Sequence, residues 1–188
     1  ESECSSLLSA MQKGEPACRP FEFLTAISDP AAELRCAKLY VESRNLSSAT
    51  PLWTNEVYSH ARIRVAYLSA DFHDHATSYL ARGLFKLHDR ARFETIALSF
   101  GPDDNGPMRR ELERSFEHFH DVRTKDDRTI AELIRSLEVD IAVDLKGFTR
   151  HARAGILAHR PSPIQVSYLG FPGTMGAGHI DYIIADKI

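Results

Sequence analysis

Cysteine is scarce in this chain of 188 residues, and its three copies all lie near the amino end. Cys4, Cys18 and Cys36 form no Cys-x-x-Cys pair, and their number is odd. This pattern argues against a zinc site and against a disulfide framework, the two usual uses of clustered cysteine. Unpaired cysteines are typical of a reducing compartment, so we expect a cytoplasmic protein.

An excess of positive charge is also missing. Lysine and arginine number 23 against 26 acidic residues, a formal net charge of −3. Proteins that bind nucleic-acid phosphates usually carry a basic surface, so no nucleic-acid partner is expected. No apolar run approaches the roughly 18 residues of a membrane span. The first residues lack the basic start and apolar core of a signal peptide.

The residues that are present divide the chain into two patterns. Residues 1–50 carry amphipathic helical patterns around Phe23, Leu24 and Ile27 and again over residues 31–41, and they predict a small helical segment. We expect these helices to pack on the body of the protein or on a neighbour outside these residues, because neither can bury its apolar side alone. From Arg62 onward, short apolar runs alternate with helical patterns, which indicates parallel βαβ units. Residues 51–188 therefore predict an α/β fold, a Rossmann-like parallel sheet lobe.

Two predicted helices of the lobe are specific enough to be checked. One covers residues 77–88, and the next covers residues 108–119 with a short strand over 120–122. The apolar side of the first helix consists of Leu80, Leu84, Phe85 and Leu87.

The loop after the first predicted strand is rich in groups that can do chemistry. The strand ends at Ser69, and the residues that follow include Asp71, His73, Asp74, His75 and Thr77. In an open α/β sheet, ligands bind where strands end and helices begin. A histidine beside a carboxylate can act as an acid, a base or a hydrogen-bond donor. In one alternative, Asp74 or Thr77 merely caps the helix. In another, Asp71, His73 and His75 bind a metal.

Two expected motifs are missing from this region. Ser69, Ala70, Asp71 and Phe72 stand where the glycines of a G-x-G-x-x-G fingerprint would be, which argues against a dinucleotide-dependent dehydrogenase. The pair Asp103-Asp104 lacks the spacing of an acidic D-x-D metal motif, so no metal cofactor is expected.

Two further loops follow predicted strands. Residues 144–153 combine a glycine turn with basic and titratable side chains, which could bind an anionic group or could form a solvated basic loop. Residues 169–178 hold four glycines and a proline, which let the main chain approach a ligand closely or simply form a long turn. Because all three loops follow strands, we expect them at one edge of the sheet.

In this order, the three loops resemble the N-terminal catalytic lobe of the O-linked N-acetylglucosamine (O-GlcNAc) transferase family, of the bacterial and plant SPINDLY-like type. The matching strings are RIRVAYLSADFHDHATSYL, ALSFGPDD, DIAVDLKGFTRHAR, ILAHRPSPIQVSYLGFPGTMGA and DYIIAD. The combination of RPxPIQ with LGxPGTxG is the most specific part. The resemblance covers residues 51–188 closely and residues 20–46 more loosely.

The resemblance implies a GT-B glycosyltransferase, in which two Rossmann-like lobes hold a nucleotide sugar between them. It implies inverting transfer of N-acetylglucosamine from UDP-N-acetylglucosamine to a Ser or Thr hydroxyl of a protein. The implied partners are the donor, the acceptor protein, a C-terminal lobe and upstream tetratricopeptide repeats. Because that second lobe is absent from these residues, this chain alone is expected to be inactive.

The resemblance also implies roles for single residues. His75 and Asp71 match the active-site histidine and the aspartate beside the transferred sugar, and they form the implied catalytic pair. The implied substrate-binding residues are Thr77, Phe148, Arg153, Leu169, Gly170 and Thr174. Asp74 and Ala76 depart from the asparagine and proline of animal members, which changes the local charge and the start of the helix.

Two other functions stay open from the sequence. A SPINDLY-type relative would transfer fucose from GDP-fucose, since much of the nucleotide selection lies in the other lobe. A degenerate lobe would act as a non-catalytic scaffold that binds proteins.

Overall fold

Helices occupy the first part of the computed structural model, which describes residues 2–47 and 49–186. They are α1 (Ser2–Gln12), α2 (Pro20–Ala26) and α3 (Pro30–Ser43). Strands and helices then alternate: β1 (Ile63–Ser69), α4 (Ala76–Leu87), β2 (Phe93–Ser99), α5 (Pro107–Ser115), β3 (His118–Asp121), α6 (Asp127–Ser136), β4 (Ile141–Asp144), α7 (Gly155–Ala158), β5 (Ile164–Tyr168) and β6 (Tyr182–Ile184). None of the helices in these ranges is long and apolar enough to cross a membrane.

The six strands form one sheet in which every neighbouring pair is parallel. Their order is β3-β2-β1-β4-β5-β6, so the chain builds outward from β1 and then returns to place β4 on its other side. The strand order therefore reverses between β1 and β4. In open α/β sheets the crevice beyond the carboxyl ends of two such strands is the usual ligand site. The predicted α/β fold with a Rossmann-like parallel sheet is confirmed.

The sheet is covered on both faces, as its apolar strands predict. In β1, Val65 and Tyr67 belong to one core cluster, whereas Ala66 and Leu68 belong to another. This alternation follows from the two-residue period of a strand. The first cluster includes Phe72, Phe85, Leu112 and Phe116, and the second includes Ile96, Leu98, Ile130 and Ile134.

The helical segment packs on the sheet lobe, as expected. Asp29 caps α3 by accepting from the N–H groups of Ala31 and Ala32, and Pro30 opens the helix. On its inner side, Ala37 and Val41 join a cluster with the loops that follow β4 and β5: Phe148, Phe171, Met175 and Ala177. The helical segment thus supports two of the three candidate loops. The division of the chain at residue 50 stays a prediction.

The predicted helix over residues 108–119 is wrong at its end. α5 stops at Ser115, and β3 begins at His118. Phe116 leaves the helix in an extended conformation, with φ −96° and ψ 153°. Its ring then packs 4.7 Å from Phe85 and 5.6 Å from Phe72, measured between ring centroids. Burial of this ring under the sheet outweighs continuation of the helix.

The predicted apolar side of α4 is also largely wrong. The buried residues of α4 are Ser78, Ala81 and Phe85, whereas Leu80 and Leu87 are 71% and 85% exposed. Leu84 is exposed as well. Small residues at 78 and 81 let the helix approach the sheet closely, and the phenylalanine fills the remaining space.

Candidate functional site

The loop between β1 and α4 is held by hydrogen bonds at several points. The main-chain N–H of Asp71 donates to Ser69 Oγ at 2.9 Å, and the Ser78 hydroxyl donates to the Asp71 carbonyl. The buried Arg109 donates to the carbonyl of Phe72 at 3.4 Å and to Ser99 Oγ at 2.9 Å. The backbone that carries Asp71 is therefore tied to both β2 and α5.

Asp71 forms a buried ion pair with Lys146 across the point where the strand order reverses. Each residue is 6% exposed, and Lys146 Nζ lies 3.0 Å from Oδ1 and 2.8 Å from Oδ2 of Asp71. The Thr77 hydroxyl donates to Oδ2 at 3.4 Å. Asp71 follows β1 and Lys146 follows β4, so parallel pairing of these strands brings the two side chains together.

The pairing of Lys146 with Asp71 was missed by sequence reasoning, which considered the basic side chains of the second loop only as a possible site for an anionic group or as a solvated basic loop. A lysine directly after a buried strand was a usable signal. Its partner is 75 positions away in the chain, and that pairing depends on the strand order.

His75 is the N-cap of α4, so the alternative in which Asp74 or Thr77 caps this helix is wrong. Its Nδ1 accepts from the main-chain N–H of Thr77 at 3.2 Å and lies 3.6 Å from Asp71 Oδ2. A neutral imidazole that accepts at Nδ1 carries its proton on Nε2. The ring is 42% exposed, so this N–H group is a hydrogen-bond donor at the edge of the crevice.

The N–H of Asp74 has a different use, because it donates to Asp104 Oδ2 at 3.1 Å. Hydrogen bonds from the N–H groups of Gly106 and Asp74 lower the pKa of Asp104. The loop after β2 thereby holds the loop after β1.

Asp144 shapes the second loop. Its Oδ1 accepts from the N–H of Lys146 at 2.8 Å, and its Oδ2 accepts from the N–H of Gly147 at 3.1 Å. Burial raises the pKa of Asp144 to about 6, and these two hydrogen bonds and the Lys146 charge oppose that rise. The turn fixes the backbone from which the Lys146 side chain extends.

The third loop packs directly on the second. Leu169 has a left-handed φ of +66°. Gly170 then lies so close to the second loop that a Cβ atom there would be 1.9 Å from the carbonyl oxygen of Leu145. The rings of Phe148 and Phe171 meet edge to face at 5.5 Å. Leu169 and Gly170 are therefore brought beside the backbone of Lys146.

The other residues implied by the resemblance make different contacts. Phe148 is a packing residue that also meets the Tyr40 ring at 5.0 Å. Arg153 pairs with Asp127 at 2.6 Å and donates to the Lys125 carbonyl at 2.8 Å.

Thr174 lies away from Asp71 and His75, at a cavity between α3 and β6. Its Oγ1 accepts from the N–H of Gly176 at 3.3 Å, and it lines a cavity of about 570 Å³ between α3 and β6. The substrate-binding roles of Phe148, Arg153 and Thr174 stay predictions.

The metal alternative receives no geometric support. Among residues 2–47 and 49–186, no three His, Cys, Asp or Glu side chains are grouped for metal binding. Asp71 contacts Lys146, and His75 Nδ1 contacts a backbone amide instead.

Several known proteins are similar to this chain in sequence. The model of glycosyl transferase family 41 matches residues 22–188. The chain is 32% identical over 182 residues to the probable UDP-N-acetylglucosamine–peptide N-acetylglucosaminyltransferase SEC of Arabidopsis thaliana, covering 92% of this chain and 19% of that protein. It is 35% identical over 167 residues to the UDP-N-acetylglucosamine–peptide N-acetylglucosaminyltransferase of Caenorhabditis elegans, covering 87% of this chain and 14% of that protein.

A solved structure gives the same result. A variant of the Thermobaculum terrenum O-GlcNAc transferase matches with a TM-score of 0.78 at 29% identity, covering 86% of this chain and 31% of that one. This chain therefore spans less than a third of each of these relatives. The six-stranded parallel sheet corresponds to a Rossmann-like lobe of a GT-B enzyme. The chain belongs to glycosyl transferase family 41 and represents the N-terminal catalytic region of the O-GlcNAc transferase type.

Proposed function

We propose that this chain is the N-terminal lobe of an inverting protein O-glycosyltransferase, which transfers N-acetylglucosamine from UDP-N-acetylglucosamine to Ser or Thr hydroxyls. The observation that supports this most is the cluster of Asp71, His75 and Thr77 at the reversal of strand order, where open α/β sheets bind ligands. The plant and nematode relatives carry the corresponding transfer in their names.

In the proposed reaction, the acceptor oxygen bonds to the anomeric carbon from one side while the bond to UDP breaks on the other. The electron pair of the broken bond leaves on the β-phosphate oxygen, and the hydroxyl proton passes to a base. A neutral His75 has its proton on Nε2 and its Nδ1 engaged by Thr77, so it donates a hydrogen bond there. We assign neither His75 nor Asp71 as the general base.

The contribution of this lobe is positioning and electrostatic stabilisation. An N–H donor beside a centre of developing negative charge lowers the barrier without itself moving. The amino end of α4 adds a partial positive charge in the same place. Asp71 can hold a sugar or acceptor hydroxyl in a fixed orientation. This reduces the entropy that must be lost to reach the transition state.

The second lobe and the repeats of the whole enzyme are part of the same proposal. A second lobe would close the cleft and supply most nucleotide contacts, and tetratricopeptide repeats would present protein acceptors. We propose no metal cofactor for the reaction, because the pair Asp103-Asp104 lacks the spacing of an acidic D-x-D metal motif. A cytoplasmic location fits acceptors that are cytoplasmic proteins.

The test uses His75→Ala in the whole protein. Sugar transfer to an acceptor peptide and hydrolysis of UDP-N-acetylglucosamine by water are measured separately. We expect transfer to fall by roughly 100-fold, in line with the loss of one positioned donor. UDP affinity, measured by titration calorimetry, should stay within about threefold, because His75 is assigned to the reacting centre. His118→Ala is the matched control, since His118 is an exposed histidine at the start of β3. Unchanged transfer in His75→Ala would remove His75 from the mechanism.

The same preparation separates the alternatives. Absence of UDP binding to the wild-type protein would favour the scaffold. Transfer from GDP-fucose in place of UDP-N-acetylglucosamine would favour the fucosyltransferase.

A further inference from the structure

Within the part of the chain that the structure describes, the ammonium group of Lys146 donates hydrogen bonds only to Asp71. Both hydrogen bonds recorded for Nζ in the described ranges go to the two carboxylate oxygens of Asp71, at 3.0 and 2.8 Å. The Asp144 carboxylate nearby is engaged by the main-chain N–H groups of Lys146 and Gly147. The two buried side chains therefore form a dedicated pair.

The backbone of Lys146 is fixed on both sides. Asp144 holds its N–H, and its carbonyl accepts from the N–H and the hydroxyl of Thr149 at 3.2 and 2.8 Å. The backbone of Gly170 closes over the same turn, because a Cβ there would lie 3.1 Å from Lys146 Cα. The fixed backbone, the burial of the side chain and its two hydrogen bonds to Asp71 together restrict the position of the ammonium group.

Stability alone is a weak reason for such a pair. Both partners of a buried ion pair lose hydration. Apolar residues of similar volume often give a protein equal or greater stability. This pair lies between the ends of β1 and β4, at the crevice where the strand order reverses. Its location therefore points to the site rather than to the core.

The charges at this crevice give the pair a function. A nucleotide-sugar donor is anionic, so a lone carboxylate beside it would repel the substrate. Lys146 cancels that charge while leaving acceptor capacity on Asp71. A carboxylate has about four lone-pair sites. The Asp71 carboxylate accepts two hydrogen bonds from Lys146 and one from Thr77, and His75 Nδ1 lies 3.6 Å from Oδ2. Of these contacts only one, from Lys146, is to Oδ1, which leaves room there for a substrate hydroxyl.

We propose that Lys146 is a positioning residue of the transfer reaction: it holds the Asp71 carboxylate in place and neutralises it beside the anionic donor. This inference rests on the proposed transferase function. It makes Asp71 a fixed hydrogen-bond acceptor, and it makes Lys146 act only through Asp71.

The test is a double-mutant cycle in the whole protein, using Asp71→Asn, Lys146→Met and the combined variant. Transfer from UDP-N-acetylglucosamine to an acceptor peptide is measured, and kcat and KM are determined separately. We expect each single substitution to lower kcat by roughly 10- to 100-fold, the scale of a misplaced reacting group. Because Lys146 acts through Asp71, the combined variant should stay within about threefold of Asp71→Asn alone.

Two further variants sharpen the result. Lys146→Arg keeps the positive charge and should recover part of the activity lost in Lys146→Met. Lys86→Met is the matched control, since Lys86 pairs with Glu111 on an exposed surface, and its kcat should equal that of the wild type.

The outcomes separate the two proposals. Losses that multiply in the combined variant, or a Lys146→Met protein with wild-type kcat, overturn the role of Lys146 and leave the transferase function standing. A wild-type protein without transfer overturns the transferase function itself. If Lys146→Met fails to fold, the combined variant decides, because it buries no lone charge from this pair. A kcat of the combined variant within about threefold of that of Asp71→Asn supports the proposal, and a kcat lower by a further 10-fold or more overturns it.

Discussion

Gly170 lies against the carbonyl oxygen of Leu145 so closely that a Cβ atom at position 170 would be 1.9 Å from it. Leu145 follows β4, and Gly170 follows β5, so this contact joins the backbones of two loops at the sheet edge. Glycine at this position is required by the packing of the two loops, whatever role the loop has toward a substrate.

Gly170→Ala should therefore destabilise the protein. Backbone atoms cannot move aside cheaply, so we expect a loss of about 1–3 kcal/mol in the free energy of unfolding, measured by urea denaturation. Gly83→Ala is the control, because Gly83 lies within α4 and its Cβ would meet nothing within 4 Å. That variant should gain about 0.5–1 kcal/mol from helix propensity. Equal stability of the two variants would contradict the close approach.

Asp144 should make stability depend on pH between about 4 and 6. Burial raises its pKa to about 6 in the folded protein, above the usual value of 3.8. The protonated form is thus favoured by folding, so this contribution is fully present below pH 4 and is lost as the pH rises through 6. Over this window, wild-type stability relative to Asp144→Asn should fall by on the order of 3 kcal/mol.

Asp126 supplies a control of opposite sign. It caps α6, and the hydrogen bond from the N–H of Thr129 lowers the pKa of its carboxyl. Its contribution is therefore present above its usual pKa and is lost as the pH falls. Denaturation of Asp126→Asn at several pH values should show this reversed trend, and the same trend in both variants would contradict the assignment for Asp144.

The two roles of His75 can be separated by two substitutions. His75→Ala removes the cap of α4 and should lower the free energy of unfolding by about 1 kcal/mol. His75→Asn keeps a good capping group that can accept from the N–H of Thr77, so its stability should match the wild type. Both should lose transfer, because neither retains the imidazole. Thermal unfolding and peptide transfer, measured together, test this; full transfer in His75→Asn would reduce His75 to a cap.

Arg109 should contribute more to the free energy of unfolding than an exposed arginine does. Its side chain is 3% exposed, lies over the Phe119 ring at 4.4 Å and pairs with Glu113 at 2.7 Å. Arg109→Met leaves the Phe72 carbonyl and Ser99 without a donor, and we expect a loss of about 2–4 kcal/mol in the free energy of unfolding.

Arg128→Met is the matched control for Arg109→Met. Arg128 forms an exposed pair with Glu132, also four positions along a helix, and its loss should cost less than about 0.5 kcal/mol. A similar effect of the two substitutions in urea denaturation would show that the buried bonds of Arg109 contribute little.

Much of the lobe could be predicted from periodicity. Buried parallel strands are short continuous apolar runs, so the end of β1 at Ser69 could be read from the sequence. The position of Asp71 and His75 after a strand was equally readable, because site residues follow strands in such sheets. The resemblance in the three loops then identified the family, which the comparisons confirmed.

Other features were out of reach for local patterns. The leucine pattern of α4 predicted burial, yet Leu80 and Leu87 are exposed because smaller side chains face the sheet. α5 ends early because the Phe116 ring finds a place among other rings that lie far away in sequence. Capping by His75 depends on a ring nitrogen, and residue statistics favour Asp or Thr for that task.

The sequence by itself determined the alternation of strands and helices, the burial of the strands and the chemical groups at their ends, because these follow from the nearest few residues. Only the tertiary structure decided which of those groups meet. Asp71 and Lys146 pair because β1 and β4 become neighbours, and that adjacency is set by how the whole sheet packs. Local patterns cannot encode a contact across 75 positions, so the charge balance of the candidate site came from the fold.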